Sequence, residues 1–343
     1  MNFFECMKQE FMHSLANENV LVTGGAGFVG SALVRKLLKE DAKVVVFDNF
    51  LHGVKSNIAD IKDEIEIVPG DVLDEWRLTE TAQKFKISYL FHCVGDTYVP
   101  TSYDVPKRFF RINVEGTLNA LLVCKLYKMK RMLYVSSTEV YGETGTQCIN
   151  ENHKLDPLNT YAVSKLAADR TCFTFFHEHD VPVIIARIFN AYGPRESEPY
   201  VIPEIISQLS RSNTVELGNI KARRDFTYVN DTARGLIATM KSKIPNGEAV
   251  NVGSNNDYSI EDLAKKIGSL MGHKKINIKI SKNRLRRLDI NRFCCDNTKL
   301  VTNTSWKPKI NIDEGLQKTI EWFRANGNKW SWEEFTEGTL IYR

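Results

Sequence analysis

The segment VLVTGGAGFVG, residues Val20–Gly30, reads as a short apolar strand, a glycine-rich turn and the first turn of a helix. Its glycines follow the spacing G-x-x-G-x-x-G. In such a turn one glycine reverses the chain, one lets backbone approach a pyrophosphate and one lets the helix pack closely. Free N–H groups at the helix amino terminus also favour a phosphate. The segment therefore predicts a dinucleotide site that includes Gly24, Gly27, Phe28, Val29 and Gly30.

An acidic residue at the end of the second apolar strand indicates which dinucleotide binds. The strand is Lys43–Phe47, and it is followed directly by Asp48 and Asn49. A carboxylate at this place accepts hydrogen bonds from the adenosine ribose hydroxyls and repels a 2′-phosphate. No arginine lies nearby in the sequence to receive such a phosphate. We therefore expect NAD rather than NADP, with Asp48 and Asn49 in its site.

Strands and helices alternate along the first half of the chain. Further strands are predicted at Ile65–Val68, Tyr89–Val94, Met132–Ser136 and Val183–Phe189, and a long helix at Arg111–Lys128. This alternation predicts an α/β fold, a Rossmann-like doubly wound parallel sheet whose ligand lies across the carboxyl ends of the strands. Residues near those ends complete the predicted cofactor site: Asp71, Val72, Cys93, Val94, Gly95 and Asn113.

Two of these assignments have alternatives. Asp71 and Val72 suit the amino group and the face of an adenine, but the same residues suit an ordinary turn at a strand end. Asn113, near the start of the long helix, could instead brace the catalytic strand.

The length of 343 residues permits a second, smaller lobe. The predicted NAD-binding domain comprises residues 18–189 and 226–254. Residues 190–225 and 255–343 are assigned to a C-terminal substrate-binding α/β lobe, and residues 1–17 to an N-terminal extension.

Composition narrows the class of protein. The chain is 43% hydrophobic and 26% charged, which is typical of a soluble protein. A net charge of +4 is too small to indicate nucleic acid binding, and no run of 18 apolar residues indicates a membrane span. The first residues lack the pattern of a signal peptide.

The seven cysteines show no C-x-x-C spacing. Cys294 and Cys295 are neighbours in an apparent strand, which suits buried thiols better than a disulfide or zinc. His177 and His179 flank Glu178, and a solvated helix end explains them better than a metal site does. We expect no metal and a reducing, cytoplasmic location.

Tyr161 and Lys165 stand four residues apart in the segment NTYAVSK, on one face of a predicted helix. A free phenol, with a pKa of about 10, is a poor base at neutral pH. A lysine ammonium nearby, together with the positive nicotinamide ring, would lower that pKa. Such a pair is common by chance, but this one follows the dinucleotide turn and a strand that ends in Ser136-Ser137. We therefore assign both residues to catalysis and to cofactor contact.

The second half of the chain supplies arginines opposite the dinucleotide site. A planar guanidinium grips a diphosphate with two hydrogen bonds. Arg224 stands between polar residues and the apolar run Phe226–Val229, which favours a role in the site. For Arg286 and Arg287 a solvated basic surface is an equal alternative.

Taken together, these motifs resemble those of the extended short-chain dehydrogenase/reductase family, specifically the NAD-dependent nucleotide-sugar epimerases and dehydratases. The resemblance runs from about Asn19 to Trp322 and rests on TGGAGFVG, GDV, VSSTEVYG, YAVSK, RIFNAYGPR and RRDFTYV. It implies a catalytic triad of Ser137, Tyr161 and Lys165, and a homodimer built on the helices near Asn113 and Tyr161. It also implies that a nucleotide-diphosphate sugar is held by Asn190, Arg195, Arg224 and one of Arg284 or Arg286, with Thr97, Thr138 and Leu217 completing the substrate site.

The chemistry implied by the resemblance begins at C4 of the sugar. Tyr161 takes the proton of the 4-hydroxyl while C4 gives hydride to NAD, and Ser137 hydrogen-bonds the same oxygen. Glu139 lies two positions after Ser137, so it can share that face and reach C5. A ketone at C4 acidifies the C5 proton, which the Glu139 carboxylate could remove. Loss of the 6-hydroxyl and return of the hydride to C6 would then give a 4-keto-6-deoxy sugar.

The sequence favours a 4,6-dehydratase, a lyase, over a 4-epimerase, an isomerase. Typical 4-epimerases carry no acid at the position of Glu139. Against the dehydratase, Thr138 stands where glucose dehydratases carry an aspartate acid, so Glu139 would have to serve as base and acid, and it could instead merely brace the turn. A glucuronate-type decarboxylase and a C4 oxidase are further alternatives. A non-catalytic NAD sensor is disfavoured because Tyr161 and Lys165 are both present.

Overall fold

A computed structural model describes residues 13–145, 147–285 and 288–334. Its main sheet is formed by seven strands: β1 (Asn19–Thr23), β2 (Lys43–Asp48), β3 (Glu66–Pro69), β4 (Tyr89–His92), β5 (Arg131–Ser137), β6 (Val183–Ile188) and β10 (Ala249–Val252). They lie in the order β10-β6-β5-β4-β1-β2-β3, and every pair is parallel. The order steps outward from β1 in both directions, which is a doubly wound sheet. The predicted Rossmann-like fold is confirmed.

Helices cover both faces of this sheet. On one face lie α1 (Phe28–Leu38) and α8 (Val229–Lys241). On the other face lie α2 (Glu75–Lys84), α5 (Gly116–Leu126) and α6 (Thr160–His179). Strand residues alternate between the two cores, since Val20 and Val22 pack in the first and Leu21 packs in the second. A strand buried on both faces has a continuous apolar sequence, and this explains why the sequence predicts β1 and β2 correctly.

The region before α5 is less regular than predicted. The single helix expected at Arg111–Lys128 is instead a π-helical turn, Arg111–Glu115, followed by α5. Two short helices precede it, α3 (Val99–Asp104) and α4 (Pro106–Phe110). A 3-10 segment, Lys55–Glu64, connects β2 to β3.

The second lobe has two small sheets. One contains β7 (Asn190–Tyr192), β9 (Arg223–Tyr228), β11 (Asp257–Ser259) and β13 (Arg292–Phe293), and the other pairs β8 (Thr214–Leu217) with β12 (Asn277–Ile280). A separate core joins their side chains to those of α7 (Val201–Arg211), α9 (Ile260–Leu270) and α11 (Ile312–Ala325). The short helix α10 (Thr298–Asn303) places Leu300 against the main core instead. The predicted domain boundaries stay a prediction.

Cys148 and Cys294 form a disulfide, with Cα atoms 4.5 Å apart. The expectation that Cys294 is a buried thiol is therefore wrong, whereas Cys295 is a buried free thiol. The backbone explains the pairing, since Ile149 N–H donates to the carbonyl oxygen of Cys294 at 2.7 Å and aligns the two segments. The partners are 146 residues apart in the sequence, so their spacing carries no signal of the contact.

Two kinds of feature are absent among the described residues. No helix there combines the length and apolar character that a membrane span needs. No cluster of three or more His, Cys, Asp or Glu side chains is arranged to hold a metal ion in the part of the chain described.

Candidate active site

A cavity of about 1150 Å³ lies at the carboxyl ends of the main-sheet strands, between the sheet and the second lobe. Parallel sheets of this type bind their ligands at that edge. The cavity collects most of the predicted site residues: Gly24, Gly27, Phe28, Val29, Gly30, Asp48, Asn49, Cys93, Val94, Gly95, Thr97, Ser137, Thr138, Glu139, Tyr161, Asn190, Leu217, Arg224 and Arg284.

The glycine turn has the geometry of a dinucleotide cradle. Gly24 has φ +70°, and a Cβ on it would lie 3.0 Å from the backbone nitrogen of Val94. A Cβ on Gly30 would lie 2.0 Å from the carbonyl oxygen of Gly24, so no side chain fits there. Helix α1 starts after Gly27, and no side chain caps its first N–H groups. The turn thus leaves backbone donors and space for a pyrophosphate, which fits a dinucleotide.

Asp48 is almost fully buried at the end of β2, at 5% exposure. Its carboxylate accepts hydrogen bonds from the N–H groups of Ala26 and Phe50 at 2.9 and 2.8 Å. Burial raises the pKa of Asp48, and these two hydrogen bonds act against that rise. The carboxylate therefore orders the glycine turn as well as lining the cavity.

Asp71 and Val72 are not among the residues that line this cavity. Asp71 accepts a hydrogen bond from the Asn49 side chain at 2.9 Å, so it is one residue removed from the cavity wall. Val72 packs in the core, where a Cβ on Gly116 would lie 2.7 Å from its side chain. The place of this pair in the cofactor site therefore stays a prediction.

Two of the predicted catalytic residues, Ser137 and Tyr161, meet where β5 ends and α6 begins. Ser137 is the last residue of β5, and its hydroxyl accepts the N–H of Glu139 at 3.2 Å. Tyr161 lies in the first turn of α6, which Asn159 caps by accepting the N–H of Ala162. Burial raises the pKa of Tyr161, and its hydrogen bond with Ser137 acts in the opposite direction.

Lys165 lies behind this pair and does not line the cavity. Its Nζ donates to the carbonyl oxygen of Val135 at 2.6 Å and stands 4.5 Å from the centre of the Tyr134 ring. Burial lowers the pKa of Lys165 to about 8. The prediction that the lysine lowers the pKa of Tyr161 is not confirmed here, since burial dominates. That prediction also relied on the charge of a nicotinamide ring.

Asn113 braces the site from behind and does not line the cavity. It is 1% exposed. Its side chain accepts the N–H of Asp96 at 2.9 Å and donates to the Ser164 hydroxyl at 2.8 Å. These bonds tie the end of β4 to α6, whereas the alternative considered for Asn113 was a brace on the catalytic strand, β5. The place of Asn113 in the cofactor site stays a prediction.

The acidic side chain of Glu139 lies between the serine and the helix cap. Its Oε2 accepts a hydrogen bond from the Asn159 amide at 3.0 Å, and the residue is partly exposed to the cavity. Beside it, Thr138 is 3% exposed, and its hydroxyl has no hydrogen-bond partner among the described residues.

The predicted arginines divide into three groups. Arg224 and Arg284 line the cavity, where they pair with Asp289 at 3.1 Å and Glu204 at 2.8 Å. Arg195 is not in the lining and lies 3.5 Å from Asp60, so the structure does not bring it to the substrate side. The motif RIFNAYGPR gives the position of Arg195 but not the direction of its side chain. Arg286 and Arg287 lie outside the described residues.

Several cavity residues were not identified from the sequence. His52 lies between Asp96 and Glu198. Its Nε2 is 2.8 Å from a carboxylate oxygen of Asp96, and its Nδ1 is 2.8 Å from one of Glu198. Burial lowers the pKa of His52, but the two carboxylates outweigh it and raise that pKa to about 9. Tyr200 donates to the Thr97 hydroxyl at 2.7 Å. These partners come from separate loops, so no local sequence motif predicts their contacts.

Comparison with known proteins gives a family for this site. Residues 21–319 match the family described as GDP-mannose 4,6 dehydratase. The chain belongs to this family. The predicted membership of the extended nucleotide-sugar epimerase and dehydratase group is confirmed.

Individual relatives carry related names. The chain is 32% identical over 335 residues to a probable dTDP-glucose 4,6-dehydratase of Sinorhizobium fredii, which covers 92% of this chain and 94% of the relative. Among solved structures it is similar to the dTDP-glucose 4,6-dehydratase of Bacillus anthracis in complex with NAD (TM-score 0.83, 28% identity, 91% of this chain and 98% of the other). It is also similar to the UDP-glucose 4-epimerase of Thermotoga maritima with UDP-glucose (TM-score 0.83, 27% identity, 90% and 99%).

Proposed function

We propose that this chain is an NAD-dependent nucleotide-sugar 4,6-dehydratase that acts on a nucleotide-diphosphate sugar. The observation that carries the proposal is the placement of Ser137, Glu139 and Tyr161 on one wall of the cavity. The dehydratase and epimerase relatives support the shared first step at C4 of the sugar.

The chain offers a fitting place for NAD. The glycine turn would hold the pyrophosphate, and Asp48 and Asn49 lie where the adenosine ribose would bind. When bound, NAD supplies an acceptor for the C4 hydrogen. The relative solved with NAD supports this assignment.

Two side chains of this protein act on the 4-hydroxyl, and a third holds them in position. Tyr161 takes the proton of the 4-hydroxyl, and Ser137 donates a hydrogen bond to the same oxygen. Lys165 fixes α6 against β5 through its bond to Val135, so the phenol is held above the end of the strand.

Glu139 distinguishes the dehydratase from a simple C4 oxidation. Its carboxylate removes the C5 proton of the 4-keto sugar, the C–H electron pair forms a C5–C6 double bond, and the C6–O bond breaks. Glu139, now protonated, gives that proton to the departing hydroxide, so that water leaves. Carbon C6 then takes back the hydride that C4 gave up, and C5 takes a proton from solvent, which gives the 4-keto-6-deoxy sugar. The hydroxyl of Thr138 lacks a partner among the described residues and lies beside this acid, where it can hydrogen-bond the sugar.

The charges of the cavity disfavour a decarboxylase. A uronic acid needs a cation for its C6 carboxylate. Within the described ranges, the cationic side chains that line the cavity are Arg224 and Arg284, which are assigned to the diphosphate, and His52, which lies between Asp96 and Glu198, so none of them is left for that carboxylate. A 4-epimerase is the second candidate, because it needs the same serine and tyrosine, but it gives Glu139 no chemical role.

A homodimer and a cytoplasmic location form part of the proposal. Apolar side chains are exposed on two neighbouring helices, with Leu122 and Leu126 on α5 at 37% and 63% and Phe173 on α6 at 37%. Such a face is typical of a subunit interface. A monomer mass by light scattering would contradict the dimer. The four described free cysteines suit a reducing compartment, whereas the Cys148–Cys294 disulfide does not.

The test of the proposed reaction is incubation of the NAD-loaded protein with a panel of nucleotide hexoses in deuterated water. A dehydratase gives a 4-keto product that has lost one water and carries deuterium at C5. An isomer of unchanged mass without deuterium would make the protein a 4-epimerase. Loss of carbon dioxide from a uronic acid would contradict both.

A further inference from the structure

Glu196 is a buried acid in the wall of the cavity that the reaction described above does not use. It lies in the loop between β7 and α7, lines the cavity and is 1% exposed. Its Oε2 atom has no hydrogen-bond partner among the described residues. The loop itself is held, since the Ser331 hydroxyl donates to the carbonyl oxygen of Glu196 at 3.4 Å. The unpartnered oxygen is therefore a property of a fixed site.

Tyr200, in the same loop, shows which part of the cavity this is. Its hydroxyl donates to Thr97, and its ring contacts that of Tyr98 edge-on with centroids 5.8 Å apart. Tyr200 is also within electrostatic reach of both Tyr161 and Glu196. Glu196 thus lies on the loop that meets Thr97, a predicted substrate-binding residue of the cavity wall.

A buried carboxylate without a cation is costly, so the group is expected to hold its proton. Burial raises the pKa of Glu196 well above its usual range, and a hydrogen bond from the backbone of Gly193 only partly opposes this. A neutral carboxylic acid presents one O–H donor and one carbonyl acceptor. Neither is useful against a diphosphate that must be gripped by cations, but both suit an uncharged polar group.

Two other polar atoms of the same cavity are buried and unpartnered. They are the Thr138 hydroxyl and the Oδ1 atom of Asn190, and neither has a hydrogen-bond partner within the described ranges. Buried polar groups nearly always have partners in folded proteins. Three such groups belong to residues that line one cavity, which favours a polyhydroxylated ligand as their partner.

We propose that Glu196 is a substrate-binding residue that hydrogen-bonds an uncharged polar group of the sugar, a hydroxyl or an amide carbonyl, and makes no contact with the diphosphate. This inference rests on the proposed nucleotide-sugar function. It adds a specificity-determining contact on the second lobe, opposite the Ser137–Tyr161 wall. A sugar lacking the contacted group is rejected because the acid is then left buried and unpaired.

The test compares three variants of the NAD-loaded protein. Glu196→Leu removes the hydrogen bond at similar size, and Glu196→Gln keeps both a donor and an acceptor. Glu333→Gln is the matched control, because Glu333 bonds Ser207 near the same loop but is not in the cavity lining. Each protein is titrated calorimetrically with a nucleoside diphosphate, and with the sugar nucleotide that the wild type turns over.

For the sugar nucleotide we expect Kd to rise about tenfold in Glu196→Leu and less than about threefold in Glu196→Gln, with no change in the control. For the nucleoside diphosphate alone, Kd should stay the same in all three. Glu196→Leu binding the sugar nucleotide as tightly as the control would overturn the inference. Equal weakening of both ligands would overturn it too, since the contact would not be to the sugar.

A replacement variant and a ligand series keep the test decisive. If Glu196→Leu does not fold, Glu196→Ala replaces it, because a smaller side chain only widens the cavity. A series of deoxy-sugar nucleotides identifies the contacted group. The analogue that lacks it should bind the wild type about tenfold more weakly than the parent sugar nucleotide, and should bind Glu196→Leu as tightly as the parent does. A wild type that neither binds nor converts any nucleotide sugar would instead refute the proposed function.

Discussion

The ammonium of Lys165 donates a hydrogen bond of 2.6 Å to the carbonyl oxygen of Val135, and this bond joins helix α6 to strand β5. Val135 lies two residues before Ser137, and Lys165 lies one helical turn after Tyr161. The bond therefore fixes the distance between the two residues that would contact the 4-hydroxyl of the sugar. It gives the lysine a positioning role that does not depend on its reaching the cavity.

Replacing Lys165 should damage catalysis more than folding. Lys165→Met removes a buried charge and keeps an apolar stem, so the protein should stay folded, because a buried charge is costly. The Val135 carbonyl loses its partner and Tyr161 loses its orientation. We expect kcat to fall about 100-fold with a small change in Tm. Lys241→Met, at a half-buried ion pair with Glu40 away from the cavity, is the control. A variant with near-normal kcat would contradict the positioning role.

Replacing Glu139 should separate the two halves of the reaction. In Glu139→Gln the amide cannot remove the C5 proton, whereas Ser137 and Tyr161 are unchanged. We expect oxidation at C4 to continue and absorbance at 340 nm from reduced cofactor to accumulate, with loss of water slowed about 100-fold or more. The measurement is a single turnover followed at 340 nm and by mass spectrometry.

Glu143→Gln is the matched control for Glu139. Glu143 lies four residues further along, accepts the N–H of Asn291 at 2.8 Å and is not in the cavity lining. It should leave both steps unchanged. If Glu139→Gln slowed the oxidation and the elimination equally, Glu139 would be a brace for the turn after β5 and the dehydratase assignment would lose its main support.

The sequence was most informative where function depends on local spacing. Val20–Gly30 predicted the turn because its glycines need to be close only to one another. Tyr161 and Lys165 were recognisable because one helix holds both. Contacts between distant segments were not predictable in this way, and Asn113, which bonds both Asp96 and Ser164, shows why. A buried amide that braces two elements looks the same in a sequence as one that touches a cofactor.

The same reasoning explains the missed residues. His52 meets Asp96 and Glu198 only because three loops converge at one edge of the sheet. Arg195 belongs to a recognisable motif, yet its side chain turns to Asp60, and position in a motif does not give side-chain direction. Glu196 directly follows that motif, and no feature of the sequence distinguishes it from an exposed acid.

The His52 cluster should make stability depend on pH. The pKa of His52 is about 9 in the folded protein and 6.5 when unperturbed. Because the folded value is higher, the stabilisation is complete below about pH 6.5 and is lost as pH rises through 9. This difference in the pKa of His52 corresponds to at most about 3 kcal/mol of unfolding free energy. Chemical denaturation at several pH values should show this loss in the wild type.

His52→Gln is the variant that isolates this effect. It cannot ionise, so the loss of unfolding free energy between pH 6.5 and 9 should disappear. Lys165 titrates in the same pH range, because burial lowers its pKa to about 8. The native state loses this proton before the unfolded state does, so Lys165 makes the unfolding free energy rise with pH. Comparing the two proteins removes this common contribution. Identical pH profiles would show that His52 is not charged in the cavity.

The Cys148–Cys294 disulfide should stabilise the protein and hold the segment after β5 against the second lobe. A loop of this length restricts the unfolded chain strongly, and its removal costs up to about 5 kcal/mol in the chain-entropy account. We expect Cys148→Ser and Cys294→Ser to lower Tm by similar amounts, and dithiothreitol to lower the wild-type Tm without affecting either variant. Cys172→Ser, at a buried free thiol, is the control for loss of a cysteine alone. An unchanged wild-type Tm in reductant, together with a mass that shows all seven cysteines as thiols before treatment, would contradict the pairing and restore the reducing location expected from the sequence.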